Sequence, residues 1–258
     1  MRAVTGMKSI LVLGVTRISD SYPNVKYKLA ALAQLFAGKF VDAVIRIDAQ
    51  QAFASLAPGG KPGSLGLAWK LCWGHLRAFY RSLRHRSEAA YICYPGIVLA
   101  NWLALPFVRS RYERIYLDAF ISLYDTIVCD RQLLNAGNPV AKLLFSLEKR
   151  ALTIATTVLV DTPENARHYS ELFDVPLARF HAVPLSIPPL PAASAPRRSG
   201  NDVALRCVFV GTFVPLQGVP VIVEAVRRLA DDAAIEFVFI GDGQDAHCLE
   251  DYLESSAP

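Results

Sequence analysis

Thr157–Val183 reads TVLVDTPENARHYSELFDVPLARFHAV, and this stretch decides the fold. Thr157–Val160 is a short apolar run with the length and β-branched content of a buried strand. Asp161-Thr162-Pro163-Glu164 then starts a helix. A short polar side chain can cap an orphan backbone N–H, and proline loses nothing by lacking its own N–H in the first turn. The acid sits at the positive end of the helix dipole. This helix runs to about Phe173. A second apolar run, Phe180–Val183, follows. Two strands joined through a helix are parallel, and the crossover is right-handed.

The same alternation extends upstream. Ser9–Gly14 reads as a strand and Lys26–Phe36 as a helix with Leu29, Leu32 and Phe36 on one face. Val41–Ile47 reads as the second strand, Ser64–Arg86 as a long helix, Ala90–Tyr94 as the third strand and Arg114–Leu117 as the fourth. Asn138-Pro139 opens a helix to about Leu152. Ala89–Val108 carries no charge over a length that could span a bilayer, but Pro95-Gly96, Asn101 and Pro106 interrupt it. A strand, a turn and the next helix are expected there. The fold class is α/β, with a Rossmann-like parallel sheet covered on both faces.

Residues 184–202 read PLSIPPLPAASAPRRSGND, a Pro-rich stretch with the composition of a linker. The alternation then restarts. Leu205–Val210 is a strand, Pro215–Leu229 a loop and helix, Ile235–Ile240 a strand and Asp245–Leu253 a helix. We therefore divide the chain into a domain over residues 1–185, a linker over 186–202, and a second unit over 203–258. Two strands and two helices cannot cover both faces of a sheet, so the second unit is expected to be the start of a further Rossmann-like domain.

Composition narrows the classes. Of 258 residues, 53% are hydrophobic and 19% charged, which excludes a disordered chain. The net charge of +4 gives no sign of a nucleic-acid partner. Cys72, Cys93, Cys129, Cys207 and Cys248 are dispersed, without a CxxC pair. Free thiols of a reducing compartment, and so a cytoplasmic location, are expected. No secretory leader is read at the N-terminus, and Met7 is an alternative start.

Ligands of open parallel sheets bind beyond the carboxyl ends of the strands. Gly14 and Arg17 follow the first strand, as a plain turn or an anion site. Asp48 follows the second, Tyr94-Pro95-Gly96 the third and Asp118 the fourth. Asp118 either orients an acceptor hydroxyl or caps a turn. Arg131, in the loop after it, either pairs with a carboxylate or binds an anion. Neither first loop carries the dinucleotide glycines, which weighs against a nicotinamide enzyme.

The second unit carries a more specific pattern. Val208-Phe209-Val210-Gly211-Thr212-Phe213-Val214-Pro215-Leu216-Gln217-Gly218-Val219 is followed by Glu224-Ala225 and then by Phe237-Val238-Phe239-Ile240-Gly241-Asp242-Gly243. This resembles the start of the nucleotide-binding domain of GT-B retaining glycosyltransferases of family 4. Leu117–Thr126, Val160–Pro163 and Phe173–Pro176 with Val183–Leu185 resemble segments of some bacterial members.

The resemblance implies a GT-B-like fold and transfer of a sugar, with retention, from a nucleotide-sugar donor to an acceptor hydroxyl of a glycan or lipid-linked acceptor, in polysaccharide or glycolipid synthesis. It implies no cofactor, no metal and no protein side chain acting as base, so no catalytic residue is assigned. Gly211, Thr212, Gln217 and Gly218 would face the donor diphosphate, with Gly14 and Arg17 as contributors from the first domain. Tyr94, Asp118 and Arg131 would lie on the acceptor side. Thr212 and Gln217 stand where many relatives place Arg and Lys. The Glu-x7-Glu donor segment of relatives is not within these 258 residues, so this chain by itself is expected to be inactive.

From Ala49 to Ser87 there is no acidic residue. Lys70, Arg77, Arg81 and Arg84 share one arc of the helix, and Leu65, Trp69, Leu76, Phe79, Tyr80 and Leu83 are assigned to the opposite side. The pattern fits either a crossover helix with a solvated basic face or a helix on an anionic membrane surface. A peripheral location on the inner membrane face follows from the second case. The alternative function is a non-catalytic module that binds an acceptor or a membrane.

Overall fold

The computed structural model describes residues 9–16, 23–36, 39–46, 65–185 and 205–255. Among them, residues 9–128 and 134–185 form one compact unit, and 129–133 with 205–255 form another.

The first unit is built on six parallel strands: β1 (Ile10–Thr16), β2 (Phe40–Arg46), β3 (Ala89–Ile92), β4 (Arg114–Asp118), β5 (Thr157–Val160) and β6 (Phe180–Ala182). Their order across the sheet is β2-β1-β3-β4-β5-β6. The helices are α1 (Pro23–Leu35), α2 (Leu65–Arg84), α3 (Ile97–Leu103), α4 (Pro106–Arg109), α5 (Pro139–Ile154) and α6 (Pro163–Phe173). The α/β, Rossmann-like expectation for this domain is met. Among the described residues, no helix is long and apolar enough to cross a membrane. Ala89–Val108 is strand, turn and two short helices, as its prolines require.

The capping signals act as expected. Asn138 Oδ1 accepts from the Val140 N–H at 2.8 Å, and Thr162 Oγ1 accepts from the Asn165 N–H at 3.1 Å. Each such cap contributes about 1 kcal/mol. α6 ends where Asp174 turns left-handed, at φ 51°.

Right-handed crossovers distribute the helices unevenly. The connection from β1 to β2 runs one way along the sheet, and those after β2 run the other way. Val25, Leu29 and Phe36 in and just after α1 pack on Ile10, Val12, Val44 and Tyr91. The opposite face holds the larger core, in which Ala78, Leu99, Leu103, Ala151, Leu152 and Phe173 meet Leu11, Leu13, Ile92, Ile115 and Val158.

Two local expectations are corrected. The first strand does not end at Gly14. β1 is central and pairs with β2 over seven residues, so the ladder carries β-branched Val15 and Thr16 opposite Ile45 and Arg46. Gly14 is thus a strand residue, and a Cβ there would lie 2.8 Å from Cys93 Cβ. The apolar residues of α2 are also divided. Gly74, Ala78 and Ser82 form its close contact side, with Leu71, Phe79 and Leu83 beside them. Trp69, Leu76 and Tyr80 are exposed. A helix lying close to a sheet accepts small side chains at the contact, so the large rings turn outward. The Leu65 side chain lies outside the described residues.

The second unit contains β7 (Leu205–Val210), α7 (Val219–Arg228), β8 (Ile235–Ile240) and α8 (Ala246–Ser255), with a short 3₁₀ turn at Pro215–Gln217. β7 and β8 are parallel. Phe213, Val219 and Val223 form a small core with Phe209 and Phe239. Val208, Val210 and Ile240 are exposed.

The loops after β7 and β8 interlock. The Phe213 N–H donates to the Asp242 carbonyl at 2.9 Å, and the Asp245 N–H to the Phe213 carbonyl at 2.9 Å. Gly241 has φ 155°, and a Cβ on it would lie 1.8 Å from the Gly211 carbonyl oxygen. That atom is backbone and cannot swing aside. Gly241→Ala is therefore expected to open the second unit by about 3 kcal/mol or more, from combined overpacking and backbone strain. Limited proteolysis checks this: cleavage within 205–255 should accelerate while the six-stranded unit stays resistant, and an unchanged digestion pattern would refute it.

Candidate functional site

The carboxyl ends of β3 and β4 border a small cleft. Tyr94, Pro95, Gly96 and Ile97 line one side, Asp118, Ala119, Ile121 and Leu123 another, and Glu148 and Ala151 of α5 the floor. The Tyr94 ring meets Phe120 edge to face, with centroids 5.8 Å apart. Tyr94 and Asp118, both assigned from sequence, are thus brought together.

Asp118 is held in a buried polar cluster. Lys28 Nζ of α1 donates to its Oδ1 at 2.8 Å and the Tyr91 hydroxyl to its Oδ2 at 3.0 Å. Asp118 is 1% exposed and the Lys28 side chain 14%. Burial pushes the Asp118 carboxyl above the usual aspartate range, while Lys28, Tyr91 and the Phe120 N–H pull it down. Tyr91 is raised well above an ordinary tyrosine, first by burial and then by the Asp118 charge. Each Asp118 oxygen is engaged by a donor, so the carboxylate is tied to α1 and β3 as well as to the Phe120 N–H of its own turn.

Glu148 is the functional-looking residue that the sequence reading missed. Its Oε1 accepts from the Leu123 N–H at 3.1 Å and its Oε2 from the Tyr124 N–H at 2.8 Å. The Tyr169 hydroxyl of α6 accepts from the Ser122 N–H at 2.9 Å. Together these groups pin the loop that forms one wall of the cleft. Burial raises Glu148 to about 7, against the opposing pull of the two backbone N–H groups, and Asp125 adds to the rise. A signal was present in the sequence: Glu148 lies in register with Ala141, Ala151 and Leu152 on the buried stripe of α5. An acid on such a stripe needs donors, and a neighbouring loop can supply them.

The other assigned residues are placed as follows. Arg17 and Asp48 lie outside the described residues. Gly14 is in β1, against Cys93. Arg131 Nε is 3.7 Å from Asp130 Oδ2. In the second unit Gly211 meets Gly241 at the strand ends, and Thr212 and Gln217 are exposed. Gly218 caps α7 with φ 65°, and nothing lies within 4 Å of where its Cβ would be. The first turn of α7 therefore has open space at its cap, where the helix dipole favours an anion. On α2, Lys70, Arg77 and Arg84 are exposed and Arg81 is half-buried. Among the described residues, no three His, Cys, Asp or Glu side chains cluster as a metal ion would need. No family model matches the chain, and no curated protein matches it.

Proposed function

We propose that this chain carries the acceptor domain and the first part of the donor domain of a GT-B retaining glycosyltransferase. The supporting observation is the arrangement of the second unit. The two glycine loops of the family-like pattern follow adjacent parallel strands whose register ends at Val210 and Ile240, and they are bonded to each other. Gly218 opens the next helix with free space at its cap. The Gly218 N–H donates to the Pro215 carbonyl and Pro220 has no N–H, so a diphosphate at that helix start would be held by the Val219 N–H and by the neutral Thr212 and Gln217 side chains. The leaving diphosphate of the donor needs such stabilisation, which preorganised dipoles supply. The acceptor hydroxyl would be presented from the Tyr94 cleft.

The test is donor binding by the full encoded chain, titrated calorimetrically with UDP- and GDP-hexoses. One donor class should bind. Gly218→Trp should abolish that binding, while Gly218→Asn, which tolerates the left-handed conformation, keeps it. Normal donor binding by the Trp variant would remove the phosphate-site assignment. A second reading, a membrane-binding module without donor affinity, is favoured by the exposed surface of α2.

A further inference from the structure

The solvent side of α2 carries two adjacent stripes. Trp69, Trp73, Leu76 and Tyr80 are 70%, 58%, 48% and 55% exposed. Their spacing of four, three and four residues places them within about 60° of arc. The Trp69 and Trp73 rings are stacked, with centroids 6.3 Å apart and planes 11° from parallel. Lys70, Arg77, Arg81 and Arg84 occupy the neighbouring arc of about 60°. The two stripes touch: the Arg84 guanidinium lies over the Tyr80 ring, 5.4 Å from its centroid. The sheet is already served by Gly74, Ala78 and Ser82, so it does not use the ring stripe. Single exposed apolar residues need no explanation, but four aligned ones do.

The charge pattern selects the occupant. α2 contains no acidic residue, so the same helix of a second copy offers no carboxylate to these cations. A bilayer surface offers both required environments. Amphipathic rings settle at the headgroup boundary, and cations meet lipid phosphates beside them. We propose that α2 docks on an anionic phospholipid bilayer, with Trp69, Trp73, Leu76 and Tyr80 entering the headgroup boundary and Lys70, Arg77, Arg81 and Arg84 on lipid phosphates.

The orientation of α2 gives this docking a direction. A Cβ on Gly74 would lie 3.1 Å from Val15 and 3.5 Å from Ile45, near the carboxyl ends of β1 and β2. Trp69 and Trp73 therefore belong to the carboxyl-end rim of the sheet, the rim on which the Tyr94 cleft opens. A membrane-embedded acceptor would approach along that rim. The docking itself does not depend on the glycosyltransferase reading.

The experiment is co-sedimentation of the full chain with phosphatidylcholine vesicles, with and without about 30% phosphatidylglycerol as the anionic surface. Binding to the anionic vesicles, weakened by salt, is expected. Tryptophan emission should shift to the blue on binding, because two of the three tryptophans lie on the ridge. At roughly fivefold per cation, Lys70→Glu/Arg77→Glu should weaken partitioning about 30-fold or more. Trp69→Ala/Trp73→Ala should weaken it about tenfold or more through lost interfacial area. Both variants change only exposed side chains and should melt as the wild type does.

Sedimentation with neither vesicle type would overturn the proposal, as would wild-type binding by the Trp variant. Light scattering supplies the competing result: a wild-type dimer that the Trp variant converts to monomer would assign the ridge to a second copy. Donor titration is independent of all these readouts, so failure of the docking and failure of the enzyme reading are distinguishable.

Discussion

Lys28→Met should lower the unfolding free energy by about 3–5 kcal/mol, the usual cost of leaving one member of a buried ion pair without its partner. For a unit of this size that corresponds to a fall in melting temperature of about 10 °C or more. The cause is specific. Asp118 is almost fully buried, and Lys28 is the cation 2.8 Å from it. Without that cation, the carboxyl titrates still higher than burial already pushes it. The deficit should therefore shrink as the pH falls, because a protonated Asp118 no longer requires a counter-charge. Lys28→Met/Asp118→Leu should recover much of the loss, since an apolar pair of similar volume avoids desolvating two charges. Urea unfolding of the three proteins at pH 5 and pH 8 decides the matter. A Lys28→Met deficit that does not vary with pH would mean that lost packing, not the stranded carboxylate, is responsible.

The second large effect concerns pH and Glu148. Its folded-state value of about 7 lies above the ordinary 4.5, so the native protein holds this proton more tightly than the unfolded chain does. Stability from this group is fully present below about 4.5 and is lost as pH rises through about 7, by about 3 kcal/mol in all. Glu148→Gln cannot ionise. It gives up one of the two backbone hydrogen bonds, at about 1 kcal/mol, but removes the dependence on pH. The difference in unfolding free energy between wild type and Glu148→Gln should therefore tilt toward the variant between pH 5 and pH 8. Taking the difference cancels other titrating groups, including half-buried His75, whose lowered value acts in the opposite sense. Parallel profiles for the two proteins would show that Glu148 stays ionised in the folded state.

The architecture was legible because it is written locally. Asn138-Pro139 and Thr162-Pro163 start helices by chemistry contained within four residues, and the apolar runs at Thr157–Val160, Leu205–Val210 and Ile235–Ile240 became strands with those same bounds. The site was less legible because its partners are distant in sequence. Asp118 could be placed at a strand end, but Lys28 is 90 residues away and Tyr91 is 27. Only the folded sheet brings them together. Glu148 was overlooked because its donors are backbone N–H groups, which carry no residue identity. The α2 surface was misassigned because periodicity finds an apolar arc without showing how much of it the sheet will accept. Gly74, Ala78 and Ser82 were the clue: small residues at that spacing mark the side of closest approach.

The strand order β2-β1-β3-β4-β5-β6 has a consequence for biosynthesis. In the six-stranded sheet, every strand from β4 onward pairs with its immediate predecessor in the chain. Only β1 must reach across a gap, waiting for β3 after α2 has been made. Once that closure occurs, the sheet can grow strand by strand in the order in which the ribosome delivers it. Such vectorial growth leaves one advancing edge at each step, first β3, then β4, then β5, each briefly able to pair with a foreign strand, while β2 stays at the opposite edge. The final β6 has only three residues. That brevity ends the growth with an edge too short to recruit another chain.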